Sequence, residues 1–535
     1  MARIVTSAHM REIETRAGEL GLSSEALLEI AGAAVAAAVA QETPTGARIV
    51  ALVGPGNNGA DGLVAARHLH DAGYQIAIYL VIRSTDLADP RLSLLRHRGI
   101  EVAEAKNDFP RAEQPASQLA QPVPSTADLA LPRLGALLGS ADVVLDSLLG
   151  TGRNRPIGGK LREVLLSASR ESKARVIAVD LPTGLDADTG AADPAALPAD
   201  LTLTLGLPKR GLFVGQGPEM SGRVRVLDIG LSTAVASTAS SGPEPTLLDD
   251  TAARQLLPRR PRTAHKGTFG RAMVVAGSAS YSGAPALAAL GAARVGAGLV
   301  TIGAPASIIG TLAARLFEPT FLALPDERGG LASDAWSVLA PALVGYRCVL
   351  VGPGLARLPG TSAAIRQIAK HASEIAGCVW VFDADALNAL AEMPDWWRQL
   401  PERCVLTPHI GEMRRLTGPR DDDRLALTIR SAALWQQVVV LKGANTIVAT
   451  PEGEAWVSPF ATPALATAGT GDVLAGIILG LLAQGLSADE AARLGVYLHG
   501  ATGLALESEI GTAGVLATDL LPRLPRTIRE LRAGG

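Results

Sequence analysis

The chain has 535 residues, with 49 lysines and arginines against 52 aspartates and glutamates, so its formal net charge is only −3. At roughly 100–200 residues per domain, this length predicts at least two domains, each large enough to bury its own core. A hydrophobic fraction of 48% excludes a disordered chain. The near-neutral charge balance lacks the basic character with which proteins bind nucleic acid or an anionic membrane surface.

Targeting and redox signals are weak. The sequence opens MARIVTSAHMREIETRAGEL, which has no apolar core of the secretory type. The longest charge-free apolar run, at positions 473–486, falls short of the ~20 residues that cross a bilayer. The three cysteines form no CxxC pair, which is typical of a reducing compartment. We therefore expect a cytoplasmic protein with no membrane or nucleic-acid partner.

The first half of the chain predicts a parallel α/β sheet. A helix is expected over residues 8–40, and short apolar runs then alternate with Ala/Leu-rich helical patterns. Such strands belong to a sheet covered by helices on both faces, and we expect a Rossmann-like three-layer domain. The strand runs are RIVALVG at 48–54, QIAIYLVI at 75–82, DVVLDSLL at 142–149, RVIAVDLP at 175–182, then DLTLTLG and RVRVLDIG.

A glycine-rich turn follows the first strand, where positions 54–62 read GPGNNGADG. Glycines allow the backbone to approach a ligand closely, and a helix start presents N–H groups to an anion. The turn satisfies G-x-G-x-x-G, but the acidic residue that dinucleotide-binding turns carry about 20 positions later is missing. Asn57, Asn58 and Asp61 add more polar side chains than a backbone cradle needs, which favours a ligand site. The alternative is a plain helix start with Asp61 in its first turn.

Two later strands end in carboxylates. Asp146 opens DSLLGTG, and Asp180 opens DLPTGLDADTG. Ligands of open parallel sheets bind beyond the carboxyl ends of the strands, where both aspartates are expected. Together with the asparagine amides they form an oxygen-rich set suited to a hard cation. Taken singly, each aspartate is equally well interpreted as a helix cap.

GPGNNGADG, DSLLGTG and DLPTG resemble the three motifs of the NAD(P)H-hydrate epimerase domain, over residues 1–230. The resemblance implies that a potassium ion is held by Asn58, Asp146 and Thr183, and Asp180 is our candidate proton-transfer group. Ala60 departs from the family's second glycine, which matters only if that residue needs a positive φ. The implied contacts to the damaged nicotinamide are Asn57, Asn58, Gly59, Ala60, Asp61, Gly150, Thr151, Gly152 and Asp180.

The segment 233–247 is small and polar without a clean apolar period, so it predicts a linker between domains at 1–232 and 248–535. The strand–helix alternation then resumes, and two Ala/Leu-rich helices near 472–484 and 488–507 close the chain. A second α/β domain is expected. Its strand runs are RAMVVAGS, GLVTIGAP, RCVLVGPG, CVWVFDAD, CVLTPH and VVVLKGAN.

The sequence GTGD at 469–472 leads directly into an apolar helix. The N–H groups of Gly469, Thr470 and Gly471 are expected to point at one spot, and the helix dipole adds positive potential there. A carboxylate beside such an anion hole, here Asp472, accepts a hydroxyl proton while the donors hold a phosphoryl group. The alternative is an N-capping aspartate.

Two further turns carry polar side chains. In LKGANTIV, Lys442 leaves a buried strand beside a glycine, where a point charge meets nucleotide phosphates. The alternative is an exposed lysine at a hairpin edge. In TPHIGE, His409 lies at a strand-to-helix turn whose backbone Pro408 and Gly411 restrict. A lone histidine is more often structural.

With HKGTFG and the GPG at 352–354, these motifs resemble the ribokinase-like superfamily, and closely its NAD(P)H-hydrate dehydratase branch. The resemblance implies that Gly354, His409 and Asp472 contact the hydrated nicotinamide, with Asp472 and His409 in catalysis. It implies ADP as the phosphoryl donor, with magnesium. The implied nucleotide-binding residues are Lys442, Gly443, Ala444, Asn445, Thr446 and Gly471.

The sequence therefore predicts a bifunctional repair enzyme whose small-molecule ligands are hydrated NAD(P)H and ADP. The first domain would interconvert the R and S hydrates. The second would phosphorylate the C6 hydroxyl and expel phosphate, restoring NAD(P)H and leaving AMP. One alternative is a ribokinase-like small-molecule kinase behind a non-catalytic nucleotide-binding domain. The sequence also admits a homo-oligomer.

Overall fold

The computed structural model describes residues 2–81, 89–109, 131–152, 156–238, 244–418 and 423–534. The chain divides into two compact units. Residues 3–242 form one, called the N-terminal unit, and residues 1–2 with 243–535 form the other, called the C-terminal unit. The segment expected to be a linker, 233–247, contains secondary structure at both ends, and its residues 239–243 lie outside the described residues.

The N-terminal unit is a parallel sheet with helices. Its helices are α1 (Ser7–Glu19), α2 (Ser24–Glu42), α3 (Asn57–Asp71), α4 (Pro90–His97), α5 (Ala105–Asp108), α6 (Pro132–Leu138), α7 (Gly159–Glu171), α8 (Gly217–Ser221) and α9 (Ser232–Ser237). Its strands are β1 (Arg48–Val53), β2 (Gln75–Leu80), β3 (Glu101–Glu104), β4 (Val143–Ser147), β5 (Arg175–Val179), β6 (Leu201–Leu205) and β7 (Arg223–Leu227).

These strands pair in parallel in the order β3-β2-β1-β4-β5-β6-β7. From β1 the chain adds β2 and β3 on one side of the sheet and then β4 to β7 on the other. The point between β1 and β4 is therefore the switch point, where open α/β sheets leave a crevice for ligands. The glycine-rich turn follows β1 and Asp146 lies in β4, so both flank that crevice. The predicted α/β class is confirmed for this unit.

The expected single helix over 8–40 was wrong. The chain breaks into α1 and α2 at Gly21, whose φ is 98°, and Ser23 accepts a hydrogen bond from Ala26 N to cap α2. Within the described part of the chain, α2 is the one helix that length and composition would allow to cross a membrane. It packs on α3 so closely that a Cβ at Gly32 would lie 2.4 Å from Val64 Cβ, as in a core helix.

The C-terminal unit has the same kind of architecture with a longer sheet. Its helices are α10 (Asp250–Leu256), α11 (Ala284–Val295), α12 (Ala306–Ala313), α13 (Ala335–Ala342), α14 (Pro359–His371), α15 (Asp385–Ala391), α16 (Ile410–Thr417), α17 (Arg424–Trp435), α18 (Thr470–Ala483), α19 (Ala488–Ile510) and α20 (Ala517–Ala533). Its strands are β8 (Thr246–Leu247), β9 (Arg271–Val275), β10 (Leu299–Pro305), β11 (Thr320–Leu324), β12 (Asp326–Glu327), β13 (Gly330–Leu331), β14 (Cys348–Val351), β15 (Val379–Phe382), β16 (Val405–Leu406), β17 (Val438–Leu441), β18 (Ile447–Ala449) and β19 (Ala455–Val457).

The main sheet runs β11-β10-β9-β14-β15-β16-β17-β18-β19-β8, parallel from β11 to β17 and antiparallel across β18. The carboxyl ends of β14 to β17 therefore meet at one edge. The two expected closing helices are observed as α18 and α19. A third, α20, was missed because Pro522 and Pro525 interrupt its helical pattern.

Candidate active sites

Two glycines of the N-terminal turn, Gly54 and Gly59, leave no room for a side chain. A Cβ at Gly54 would lie 1.8 Å from Leu148 O, and one at Gly59 would lie 2.1 Å from Gly54 O. Ala60 lies inside α3 and its N–H donates to Gly56 O at 3.1 Å, so its backbone is helical. The extra methyl at residue 60 therefore brings no positive-φ strain.

Asn58 is the unsatisfied group of this turn. It is 8% exposed, and neither its Oδ1 nor its Nδ2 has a partner within the described chain. A buried polar group without a partner costs about 1–3 kcal/mol, so a site that keeps one is built for a ligand. Asn57, by contrast, is exposed at the start of α3.

Asp146 and Thr183 form a fully buried pair beside the turn. Thr183 Oγ1 donates to Asp146 Oδ1 at 2.7 Å, and Thr183 N donates to Asp146 Oδ2 at 2.8 Å. Burial raises the pKa of Asp146 to about 6, although these hydrogen bonds oppose the rise. The two residues contribute oxygens at the edge where Asn58 lies, which accords with the predicted cation set.

Asp180 is held by a lysine that the sequence analysis did not identify. Lys209 is 1% exposed, and its ammonium donates to Asp180 Oδ1 and to Leu205 O at 2.8 Å. Leu205 N donates to the same Asp180 oxygen at 3.2 Å. The backbone of Asp180 has a φ of 67°, a conformation that non-glycine residues adopt rarely and that is common at functional sites.

Asp180 and Asn58 face each other across Gly150. A Cβ at Gly150 would lie 3.4 Å from Asn58 Cβ and 3.6 Å from Asp180 Oδ2. Thr151 and Gly152 continue from this point, half-buried and exposed respectively. The predicted substrate contacts from all three strand ends therefore converge, with the side-chain-free position of Gly150 between them.

Asp61 lies one helical turn after Asn58, on the same face of α3. It is 5% exposed. Burial raises its pKa to about 8; Asp180 and Glu14 raise it further, whereas Lys209 and Arg91 lower it. The alternative of a plain helix start with Asp61 in its first turn was wrong, since α3 begins at Asn57 and Asp61 lies beyond its first turn.

In the C-terminal unit the predicted residues collect at the carboxyl edge of β14 to β17. Lys442 follows β17, and its Nζ lies 2.6 Å from Asp383 Oδ1, directly after β15. The alternative of an exposed hairpin lysine was wrong, since the side chain is 17% exposed. Burial opposes the charge of Lys442, but Asp383 and Glu412 raise its pKa.

Asp472 lies in the first turn of α18, beside this ion pair. Burial raises the pKa of Asp472 to about 7; Asp383, Asp385 and Glu412 add to the rise and Lys442 opposes it. A Cβ at Gly471 would lie 3.4 Å from Lys442 Nζ. The N-terminus of α18, the Lys442 ammonium and the Asp472 carboxyl group, whose pKa is near neutral, therefore lie close together.

One of the three N–H groups that were expected to bind an anion is already bonded within the protein. Thr470 N donates to Thr467 O at 3.4 Å, and its hydroxyl donates to Leu465 O and Thr467 O, both at 2.9 Å. Thr470 therefore shapes the turn, and the next N–H groups, those of Gly471 and Asp472, belong to the helix start that has no intrahelical partners. His499 was not among the predicted residues. Its Nε2 lies 3.0 Å from Thr470 O, and burial lowers the pKa of the ring to about 4.

His409 caps α16. Its Nδ1 accepts from Gly411 N at 2.9 Å and from Glu412 N at 3.2 Å, while Glu412 Oε2 accepts from His409 N at 2.9 Å. His409 Nδ1 is therefore occupied by the first turn of α16, and the catalytic role predicted for His409 stays a prediction. Its Nε2 edge, half-exposed, remains able to donate to a ligand.

The segment 443–446 mixes exposed and structural groups. Gly443 and Ala444 are exposed, and Arg424 donates to Ala444 O at 2.6 Å. Asn445 is 3% exposed and donates to Ser458 O at 2.8 Å, and Thr446 Oγ1 donates to Gly443 O at 2.9 Å. Both polar side chains thus hold the turn, and the backbone is also engaged, since Asn445 N donates to Phe460 O at 3.0 Å and Thr446 O accepts from Ser458 N at 2.9 Å.

Asp383 and Asp385 were not among the predicted residues. They flank Ala384, whose φ of 50° is unfavourable for a residue with a Cβ. Asp385 accepts from Ala356 N at 2.9 Å, next to the turn in which Gly354 accepts from Ser278 Oγ at 2.9 Å. Two aspartates directly after a buried strand are the same signal that identified Asp146 and Asp180.

Comparison with known proteins covers both units. Residues 24–211 match the family described as YjeF-related protein N-terminus, and residues 272–526 match the family described as NAD(P)H-hydrate dehydratase. The bifunctional NAD(P)H-hydrate repair enzyme Nnr of Moorella thermoacetica is 37% identical over 99% of this chain and 97% of its own. The protein of the same name from Salinibacter ruber is 39% identical over 96% of this chain and 93% of its own.

A solved structure also aligns with the C-terminal unit. It is the ADP/ATP-dependent NAD(P)H-hydrate dehydratase of Bacillus subtilis, co-crystallised with ATP/Mg²⁺. The identity is 33%, the alignment covers 55% of this chain and 100% of that protein, and the TM-score is 0.47.

Proposed function

This chain belongs to the family of bifunctional NAD(P)H-hydrate repair enzymes, and from that premise we propose which residues carry its two activities. The N-terminal unit epimerises the hydrate at C6, and the C-terminal unit dehydrates it with ADP. One observation supports this division most strongly. Each unit gathers its polar side chains at the carboxyl edge of its own parallel sheet, around a buried lysine.

In the C-terminal unit, Asp472 is the proposed proton acceptor for the C6 hydroxyl. A carboxyl group with a pKa of about 7 is half ionised at neutral pH, which suits a general base. The freed oxygen attacks the β-phosphorus of ADP, and AMP leaves. Phosphate then departs from C6 with the ring nitrogen supplying electrons, and loss of the C5 proton restores the double bond. Gly354 and the Nε2 edge of His409 are proposed as hydrate contacts.

The nucleotide is proposed to lie along residues 442–446 and Gly471. Lys442 supplies positive charge beside the first turn of α18, and the backbone of Gly443 and Ala444 is exposed. The Asn445 and Thr446 side chains hold the turn, so the proposed contribution of these two residues is to fix the conformation of the segment that meets the nucleotide.

Magnesium fits this site only together with a nucleotide. Within the described residues no group of three or more His, Cys, Asp or Glu side chains is arranged to hold a metal. Mg²⁺ is commonly bound through one or two carboxylates plus substrate phosphates. We therefore assign Mg²⁺ to the ADP phosphates, with Asp383 as its protein ligand, where it would neutralise phosphate charge.

In the N-terminal unit, the proposed hydrate site lies at the switch point between β1 and β4. It comprises residues 57–61, residues 150–152 and Asp180. The vacant side of Gly150 gives the nicotinamide ring access to both Asn58 and Asp180. Asp180 is the proposed group that moves the C6 hydroxyl proton.

Potassium fits the set Asn58, Asp146 and Thr183. The Asn58 carboxamide is buried without a partner, and Asp146 and Thr183 bring further oxygens. A monovalent cation there would satisfy the Asn58 oxygen and offset the buried charge of Asp146. The role proposed for these three residues is to hold in order the glycine-rich turn that contacts the substrate.

The test is to supply purified full-length protein with chemically prepared hydrate and ADP. We expect recovery of the reduced-nicotinamide absorbance, with AMP and phosphate released in equal amounts. Adding R hydrate alone should yield the S form without ADP. A stable phosphorylated product with no recovery of absorbance would contradict the proposal and indicate a small-molecule kinase.

A further inference from the structure

The two carboxyl groups of the N-terminal site lie in different surroundings. Asp180 Oδ1 accepts from Lys209, from Leu205 N at 3.2 Å and from Thr204 Oγ1 at 3.4 Å. Its other oxygen, Oδ2, is the one that lies 3.6 Å from the position of a Cβ at Gly150. Asp180 is therefore fixed through one oxygen and presents the other to the substrate side.

Asp61 has neither a cation bound to it nor a hydrogen-bond donor within the described part of the chain. It lies in α3, one helical turn after Asn58 and on the same face, and is 5% exposed. Its charged neighbours are Asp180, Glu14 of α1, Lys209 and Arg91 of α4. Burial raises the pKa of Asp61 to about 8, and the two acidic neighbours add to that rise against the two basic ones.

Lys209 is the reason that the surroundings of Asp180 and Asp61 differ. Its ammonium donates to Asp180 Oδ1, Leu205 O and Thr204 Oγ1, and it forms no bond to Asp61. A carboxyl group bonded to an ammonium beside a buried carboxyl group that has no partner is an arrangement from which a general base and a general acid are distinguished. Here the same buried charge that pairs with one carboxylate leaves the other without a partner.

We propose that Asp61 is the proton donor and Asp180 the proton acceptor of the epimerisation, with Lys209 as the positioning residue that fixes these roles. The inference rests on the proposed function of this unit. In the hydrate, C6 carries the hydroxyl and is bonded to N1. Asp180 Oδ2 takes the hydroxyl proton, the C6–O pair forms a carbonyl, and the C6–N1 bond breaks. Its electron pair goes to N1, which takes the proton of Asp61.

The ring closes by the reverse steps on the other face. Rotation about the C5–C6 bond presents that face of the aldehyde, and N1 attacks C6. The N1 proton returns to Asp61, and the new alkoxide takes its proton back from Asp180. Both carboxyl groups end in their starting states, so the reaction needs no co-reactant.

The proposal is tested with full-length Asp61→Asn protein, measuring conversion of R hydrate into S hydrate across pH. We expect the rate to fall by about 10²- to 10⁴-fold, the range for loss of a general acid. The wild-type rate should also fall as pH rises above about 8, where Asp61 loses its proton, and the variant should lack that fall. Denaturant unfolding of the same preparations reports whether the N-terminal unit is folded, since dehydration of S hydrate depends on the other unit.

Stability provides an independent reading of the Asp61 proton. An unfolded aspartate ionises near pH 3.9, so a fold that prefers the neutral acid loses stability as pH rises from about 4 to about 8. The Asn variant should escape this loss, and its stability relative to wild type should increase with pH. If Asp61 were an ordinary charged residue at a helix start, the variant would be less stable at neutral pH.

Lys209 is tested with its partner. Lys209→Met leaves Asp180 unpaired and should lose folded protein, whereas Lys209→Met with Asp180→Asn should fold and dehydrate S hydrate without epimerising R hydrate. Wild-type protein that fails to epimerise R hydrate would overturn the proposed function itself. Wild-type epimerisation matched by Asp61→Asn at the same rate and with the same alkaline fall would overturn only the inference.

Discussion

The two sites place a buried lysine among carboxylates at the edge of a parallel sheet, but they pair it differently. In the N-terminal unit Lys209 binds Asp180, the residue proposed to move the proton. In the C-terminal unit Lys442 binds Asp383, and the proposed base Asp472 keeps a pKa of about 7. Lys209 thus pairs with the proposed proton-transfer group itself, whereas Lys442 pairs with a neighbour of the proposed base.

This difference follows from what each reaction requires. Epimerisation returns every group to its starting state, so a fixed base and a fixed acid suffice. Dehydration passes a phosphoryl group, and a lysine beside Gly471 is placed to meet phosphate while its partner Asp383 holds it there. The predictions below change one member of each arrangement.

The largest effect is expected from Lys442→Met, which leaves Asp383 buried and unpaired. Removing one partner of a buried ion pair typically costs about 3–5 kcal/mol of unfolding free energy. Adding Asp383→Asn should restore most of that stability without restoring dehydration, because the phosphate-facing charge is still missing. Denaturant unfolding and the ADP-dependent assay measure the two quantities. Stability that stays low in the double variant would contradict the pairing.

Gly150→Ala and Gly471→Ala are matched ways to fill the two sites. The new Cβ atoms would meet Asn58 and Asp180 at 3.4–3.6 Å and Lys442 Nζ at 3.4 Å, which the fold tolerates. We expect each variant to keep its stability and lose on the order of 10-fold or more in its own activity, because small displacements of reacting groups are costly. Gly18→Ala and Gly310→Ala, with open space around them, are the controls. Loss of both activities in either site variant would contradict this account.

The dehydration rate should depend on the charge of Asp472. Because the proposed base must be ionised, kcat/KM should rise with pH through about 7 and level off above it. One pH unit below that pKa, the rate should be about 10-fold below the plateau. A profile that falls with rising pH over this range would show that the neutral acid is the active form.

The smallest effect on stability is expected from Asn58→Ala. Since both polar atoms of Asn58 lack protein partners, removing them should change the unfolding free energy by less than about 1 kcal/mol. Epimerisation, and any dependence of its rate on potassium, should be lost. A large loss of stability in potassium-free buffer would contradict the assignment of Asn58 to a ligand.

Much of the fold could be predicted because apolar strands separated by helices admit few arrangements. The strand runs that precede Asp146, Asp180 and Lys442 are observed, and the parallel pairing brings them to common edges. What failed was local. The apolar period alone indicates one helix where Gly21 divides the chain into two. The prolines argue against a helix where α20 is observed.

The site residues divide by whether their role shows in neighbouring sequence. Asp472 follows a glycine-rich turn and was predicted as a site residue, and Asp383 follows a strand and could have been predicted in the same way. Lys209 lies in a loop next to Arg210, and only the folded chain brings it to Asp180. His409 sits in a motif, yet its Nδ1 caps a helix, a use that depends on the ring's orientation.

The most direct test of the account compares both activities in full-length Asp472→Asn protein. Separate roles for the two units predict that ADP-dependent recovery of NAD(P)H from S hydrate falls by about 10²- to 10⁴-fold, while conversion of R hydrate to S hydrate continues at the wild-type rate. Glu402→Gln, an exposed change in the same unit, should leave both unchanged. Near wild-type dehydration by the Asp472→Asn protein would contradict the claim that this carboxylate starts the reaction.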